Sequence, residues 1–186
     1  LVSGSLYPEA IHRTFGSVYL SGGAEWANDN KTLFYITLDE FHRADKVFRH
    51  TLGTDPSQDV LIFQEEDDTF SLSMFKTRSE KLIMTYHYNT VSQEMRFIST
   101  DEPEAELTVL QPREHNHEYY ATHHGDSFFI ITNDKAPNFR LMKAPVSAPG
   151  KENWQEILPH REDTLVEHID MFEEYLVLHE RRHGLR

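Results

Sequence analysis

The chain has 186 residues, long enough for one sizeable core or two small ones, and 26% charged residues keep it within the range of ordered globular proteins. A net charge of −13 works against a nucleic-acid surface, which needs clustered Lys and Arg. The absence of cysteine excludes disulfides, thiolate metal sites and a Cys nucleophile.

Residues 1–23 show no clear pattern and are read as an uncertain N-terminal segment, a possible remnant of a preceding unit. A strand is then predicted around Ala24–Ala27, followed by the turn Asp29-Asn30-Lys31. Further strands are centred on Leu33-Phe34-Tyr35, Val47-Phe48-Arg49 and Ile62-Phe63. The same order returns as Phe70–Phe75, a turn at Arg78-Ser79-Glu80, Leu82-Ile83-Met84, Met95-Arg96-Phe97 and Val109-Leu110. A third round runs Tyr119–His123, His124-Gly125-Asp126, Phe128-Phe129-Ile130, Phe139-Arg140-Leu141 and Ile157-Leu158. The last begins with Val166–Met171, turns at Phe172-Glu173-Glu174 and continues through Tyr175-Leu176-Val177. The Glu and Leu content of Asp163–Glu180 also suits a helix, but its alignment with the earlier rounds favours strand.

The centres of the second strands lie 49, 46 and 47 residues apart, from Leu33 to Leu82, Phe128 and Tyr175. Four short strands per period of roughly 47 residues is the signature of a β-propeller blade. The expected fold class is all-β, a partial β-propeller of about three and a half four-stranded antiparallel blades. Their expected bounds are 24–68, 69–116, 117–163 and an incomplete 164–186. Closed propellers have four or more blades, and the chain lacks an initiator Met, so an internal piece of a longer protein is expected. No apolar run approaches the roughly 18–20 residues of a membrane span. The start LVSGSLYPEAIHRTFG is not a signal peptide, and the expected location is the cytoplasm.

Several constellations suggest chemistry. In REHNHEYYATHHGD, His115 and His117 are expected to share a strand face, with His123 and His124 close across a hairpin. Four imidazoles can bind zinc in principle, but no carboxylate completes a recognised spacing, so packing is the preferred role. The runs Glu65-Glu66-Asp67-Asp68, Asp101-Glu102 with Glu104, and Glu173-Glu174 are read as solvated turn edges rather than a glycosidase pair. A second use for them is an acidic rim that draws in basic peptides. Arg181–His183 is read as a surface hairpin turn, and Arg140 as the partner of an acid on a neighbouring blade. Phe34, Phe48, Phe63, Phe75, Phe97 and Phe129 recur with the period and are expected to pack blade against blade.

The segments WANDNKTLFY (Trp26–Tyr35), VFRHTLGTDP (Val47–Pro56), TNDKAPNFRL (Thr132–Leu141), NWQEILPHRED (Asn153–Asp163) and HERRHGL (His179–Leu185) carry a resemblance. In this order they resemble the N-terminal propeller of the oligopeptidase B group, within the prolyl oligopeptidase family of serine peptidases. The resemblance covers Glu25 to Arg186, and the first 24 residues depart from it. It implies a propeller capping an α/β-hydrolase domain with a Ser-Asp-His triad, cleavage of short peptides after Arg or Lys, and no metal at His117 or His123. No Ser here has the Gly-x-Ser-x-Gly setting of a nucleophile elbow, so no catalytic, cofactor-binding or metal residue is assigned to this chain, and no cofactor. The expected partners are the hydrolase domain of the parent protein and short basic peptides, with no nucleic acid and no membrane. The alternative is a free-standing propeller-type binding module without peptidase activity.

Overall fold

The computed structural model describes residues 20–183 and Leu185, and its regular elements are strands and two short 3₁₀ turns. The first sheet is β1 (Leu20–Trp26), β2 (Thr32–Leu38), β3 (Ala44–Thr51) and β4 (Val60–Gln64). The second is β5 (Ser71–Lys76), β6 (Leu82–Tyr88), β7 (Gln93–Ser99) and β8 (Thr108–Gln111). The third is β9 (Tyr119–His124), β10 (Ser127–Thr132), β11 (Arg140–Pro145) and β12 (Gln155–Leu158). A two-stranded sheet, β13 (Thr164–Met171) with β14 (Leu176–Arg182), completes the described residues. Within each sheet the strands lie in sequence order and pair antiparallel, as in propeller blades, and the ring is not closed.

Local chemistry accounts for the elements. Thr32–Leu38, TLFYITL, is rich in β-branched and aromatic residues, which fit a pleated surface. The turn before it is held by Asp29, whose Oδ1 accepts the backbone N–H groups of Lys31 and Thr32 at 2.9 and 2.8 Å. Asn30 supplies the left-handed residue at φ 55°. Between β9 and β10 a two-residue turn opens on Gly125 at φ 60°, a backbone region where a Cβ is disfavoured.

The sheets pack face to face. Phe34, Ile36 and Val47 of the first meet Leu72, Met74, Ile83 and Ile98 of the second. The other face of the second sheet puts Met84, Met95, Phe97 and Leu110 against Tyr119, Ala121, Phe128 and Ile130. Ile131 and Leu141 then meet Val166, Ile169 and Met171. Neighbours Ile83 and Met84 serve opposite seams because strand side chains alternate. A strand buried on both faces therefore reads as a run of successive apolar residues, as in Leu82-Ile83-Met84 of β6.

Four expectations about these elements need correction. β1 begins at Leu20, with a register shift before Ala24, rather than near Ala24. Phe139 is no strand centre: its φ of 61° makes it the turn residue before β11. Tyr175 likewise precedes β14. Of the six recurrent phenylalanines, Phe34 and Phe97 lie in the seam cores, and Phe63, Phe75 and Phe129 pack at their margins. Phe48 instead stacks on Tyr35 of its own sheet, ring centroids 5.5 Å apart.

Candidate functional site

The first strands of the second, third and fourth sheets run side by side and form an inner wall. Phe75, Tyr120, Thr122, His168 and Asp170 line a cavity of about 330 Å³ there. Tyr120 stacks on Phe75 at 6.0 Å and lies 5.7 Å from the His168 ring, while Tyr86 meets it edge-on at 6.0 Å. Burial pushes the Tyr86 and Tyr120 hydroxyls above their ordinary range, so both stay neutral donors.

Asp170 is the charged centre of this wall. His179 Nε2 lies 2.9 Å from its Oδ2, and His168 Nε2 lies 3.7 Å from its Oδ1. The hydrogen bond from His179, with the nearby charges of His168, His179 and Arg78, holds the Asp170 carboxyl below the usual carboxylate range.

The hairpin turns that follow the inner strands gather at one rim. Arg78–Lys81, His123–Gly125 and Met171–Glu173 border a groove of about 490 Å³. Asn28, in the first turn of the first sheet, ties that sheet to the same rim. Its Nδ2 donates to Thr100 Oγ1 at 2.9 Å and Asp101 Oδ1 at 2.8 Å, and its Oδ1 accepts from Lys76 Nζ at 2.8 Å.

The sequence-flagged groups disperse. His117 is buried, with Nε2 2.9 Å from Thr132 Oγ1 and its ring against both Tyr119 and Trp154. His115 does not share a strand face with it, because the chain turns at His115-Asn116 before β9 begins. His123 lies 2.7 Å from Ser79 across the second seam, and His124 ends β9. Among the described residues no three His, Cys, Asp or Glu side chains are grouped so as to hold a metal ion.

The acidic runs part company as well. Asp101 and Glu102 lie exposed at the rim with Glu173 and Glu174, whereas Glu66, Asp67 and Asp68 are exposed beyond β4, at the opposite end of the sheets. Glu65 is no solvated edge. It is buried at the seam between the first and second sheets, 2.7 Å from Arg113 and 3.4 Å from His87. Burial alone would raise its pKa, but the hydrogen bonds with His87 and Arg113 bring it down to about 2.

Three basic residues also differ from expectation. Arg140 pairs with Asp134 and Glu156, both in its own sheet, at 3.0 and 3.1 Å. Arg181 and Arg182 belong to β14, where they pair with Glu167 and Asp163, and only His183 lies in the turn.

Sequence reasoning also missed Tyr119, whose hydroxyl accepts the Met95 N–H at 2.7 Å and donates to the Gln111 carbonyl at 2.6 Å. Its place in a strand of mixed polarity gave no sign of this. The Asn in WANDN offered a signal, since an amide carries both donors and an acceptor.

Four-stranded antiparallel sheets in sequence order, stacked face to face, are features of propeller blades. A family model described as the prolyl oligopeptidase N-terminal beta-propeller domain matches residues 7–186. The chain belongs to this family. Its prolyl oligopeptidase relatives include dipeptidyl aminopeptidase BI of Pseudoxanthomonas mexicana, 40% identical over 162 residues that cover 86% of this chain and 22% of that protein. Protease 2 of Moraxella lacunata is 34% identical over 170 residues, covering 91% of this chain and 24% of the relative. Among solved structures, oligopeptidase B from Leishmania major superposes with a TM-score of 0.82 at 31% identity, covering 89% of this chain and 23% of that one. Oligopeptidase B from Trypanosoma brucei with covalently bound antipain gives 0.81 at 26% identity, covering 89% and 24%. The chain thus spans about a quarter of the length of these relatives.

Proposed function

We propose that this chain is the non-catalytic propeller portion of an oligopeptidase B-like serine peptidase. In this reading it gates the access of short peptides, cleaved after Arg or Lys, to a hydrolase domain outside the chain. Its blades are taken as 24–68, 69–116 and 117–163, with another begun over 164–186. Of the segment 1–23, residues 1–19 lie outside the described residues. The observation that carries the reading is the cavity of about 330 Å³ walled by Phe75, Tyr120, His168 and Asp170, a surface of mixed polarity with room for a few residues of a peptide. Membership of a peptidase family, without any Gly-x-Ser-x-Gly here, supports assigning access rather than chemistry to these residues. No helix among the described residues is long and apolar enough to cross a membrane, which fits the cytoplasmic site of action proposed for the enzyme.

Charge supports the choice of substrate. The net charge is −13, and Asp101, Glu102, Glu173 and Glu174 lie exposed on one rim, so basic peptides are drawn towards it. The test is kinetic and uses the complete protein. It should cleave short Arg- or Lys-containing peptides, spare the same sequence within a folded protein, and lose kcat/KM on basic peptides as salt rises. Equal cleavage of the folded protein would remove the gating role, and a salt-independent kcat/KM would remove the acidic field.

A further inference from the structure

Among the described residues, cationic side chains gather within the acidic rim at the groove over the first hairpin turns of the second, third and fourth sheets. We propose that this groove binds a carboxylate of the peptide substrate, the C-terminal carboxylate or an acidic side chain near that end. The inference rests on the peptidase reading above.

Four observations carry it. The groove of about 490 Å³ brings together Arg78, Lys81, His123 and His124, drawn from two different hairpins. Arg78 places its guanidinium over the Phe172 ring, 4.3 Å from the centroid, a cation–π contact of a planar group whose edge carries N–H donors. Its nearest carboxylate, Asp170, is 3.9 Å away and already engaged by His179 at 2.9 Å. Such an edge, with its fork of N–H donors, is the geometry that takes a carboxylate. Lys81 is exposed in the same groove and has no carboxylate partner among the described residues.

The surrounding charges sharpen the effect. Glu173 forms one lip, and Glu80, Asp101, Asp126 and Glu174 are exposed nearby on the rim. A basic peptide attracted to this rim has its carboxylate end repelled by these acids and drawn to the cationic groove, which favours one direction. The groove is continuous with the inner wall, because Arg78 and Met171 border both cavities. A peptide lying along β5, β9 and β13 therefore reaches it with one end.

The test compares peptides of one sequence that end in a free carboxylate or in an amide, over lengths of about 4 to about 14 residues so that the span is covered. The complete protein is used, and the quantity read is the ratio of KM values, amide over acid, at each length. Two contacts to partly exposed cations correspond to a ratio of about fivefold at the lengths that reach the groove. In the double variant Arg78→Gln, Lys81→Gln the ratio should fall to about one. Because the ratio is taken within each protein, a general loss of activity does not imitate this result. An amidated peptide ending in Glu separates the two sources, binding like the acid where a side-chain carboxylate suffices and like the amide where the terminus is required. A wild-type ratio near one at every length, or an unchanged ratio in the double variant, overturns the inference. If none of the peptides is cleaved, the peptidase reading fails by itself. Fluorescence anisotropy of the labelled acid and amide pair then decides the groove, and equal binding overturns it.

Discussion

Replacing Glu65 by Gln keeps the side chain's shape and removes its charge at the seam between the first two sheets. In the native arrangement Glu65 Oε2 lies 2.7 Å from Arg113, whose guanidinium also sits 4.0 Å above the Phe70 ring. After the change Arg113 keeps only the more distant Glu94, at 3.7 Å, and His87 loses its carboxylate partner. Breaking a buried pair on one side costs about 3–5 kcal/mol, but Arg113 is 28% exposed and keeps Glu94, so about 2–3 kcal/mol is expected. The pKa gives a consistent scale. A fall from 4.5 to about 2 corresponds to about 3 kcal/mol before solvent screening is allowed for. The sign follows from linkage: a carboxylate with a depressed folded pKa stabilises fully above its unfolded pKa and loses that contribution as pH falls through the folded value. Urea unfolding of wild type and Glu65→Gln should therefore differ by about 2–3 kcal/mol at pH 7, with the gap closing between pH 4.5 and about 2. A gap below about 0.5 kcal/mol at pH 7, the scale of an ordinary surface change, would refute the role of Glu65 as a seam charge. So would a gap that does not vary with pH.

Other outcomes follow from the same seams and the same rim. Tyr119→Phe leaves the Met95 N–H and the Gln111 carbonyl without their shared hydroxyl, and should cost about 1–3 kcal/mol in denaturant unfolding. Asn28→Ala removes the contacts to Thr100, Asp101 and Lys76 that join the first two sheets. It should cost about 1–2 kcal/mol and raise amide exchange in the turns Asn28–Lys31 and Arg78–Lys81. His87, His117 and His123 are each held below the ordinary 6.5 first by burial, so the unfolded chain takes up their protons before the folded one. Stability should accordingly decline as pH falls through about 6.5, and a triple His→Gln variant should flatten that part of the profile.

Much of the fold was legible because a propeller repeats one physical solution. Each blade needs apolar strand centres at the same offsets, and Leu33, Leu82 and Phe128 each lie in the second strand of a sheet. Legibility ended where the repeat ends. Leu20 and Phe139 show how bulges and left-handed residues shift strand limits without changing apolar content. The charged residues were harder still. A run such as Glu65-Glu66-Asp67-Asp68 looks uniform, yet only its first member faces the seam, because the link to the next sheet leaves β4 at that point. Its partners Arg113 and His87 lie 48 and 22 residues away; the first separation is close to one blade period, but it joins an acid to a base, where a repeat aligns like with like. A search for periodicity cannot find such a pair.

The same reasoning places specificity within the molecule. Seam cores use interchangeable apolar residues, so they determine that sheets stack but carry little to distinguish one propeller from another. The non-repeating residues Arg78 and Phe172 occupy hairpin turns that a blade does not need to be charged or aromatic, and with Lys81 and His124 they border one groove. Turn positions that depart from the repeat and converge in space are where this fold can vary its ligands at least cost to stability. On that ground the rim groove, rather than the histidines of REHNHEYYATHHGD as a cluster, is the ligand site proposed for this chain. Of those histidines, His117 is committed to the interior, His115 stands apart in a turn, and only His123 and His124 reach the groove.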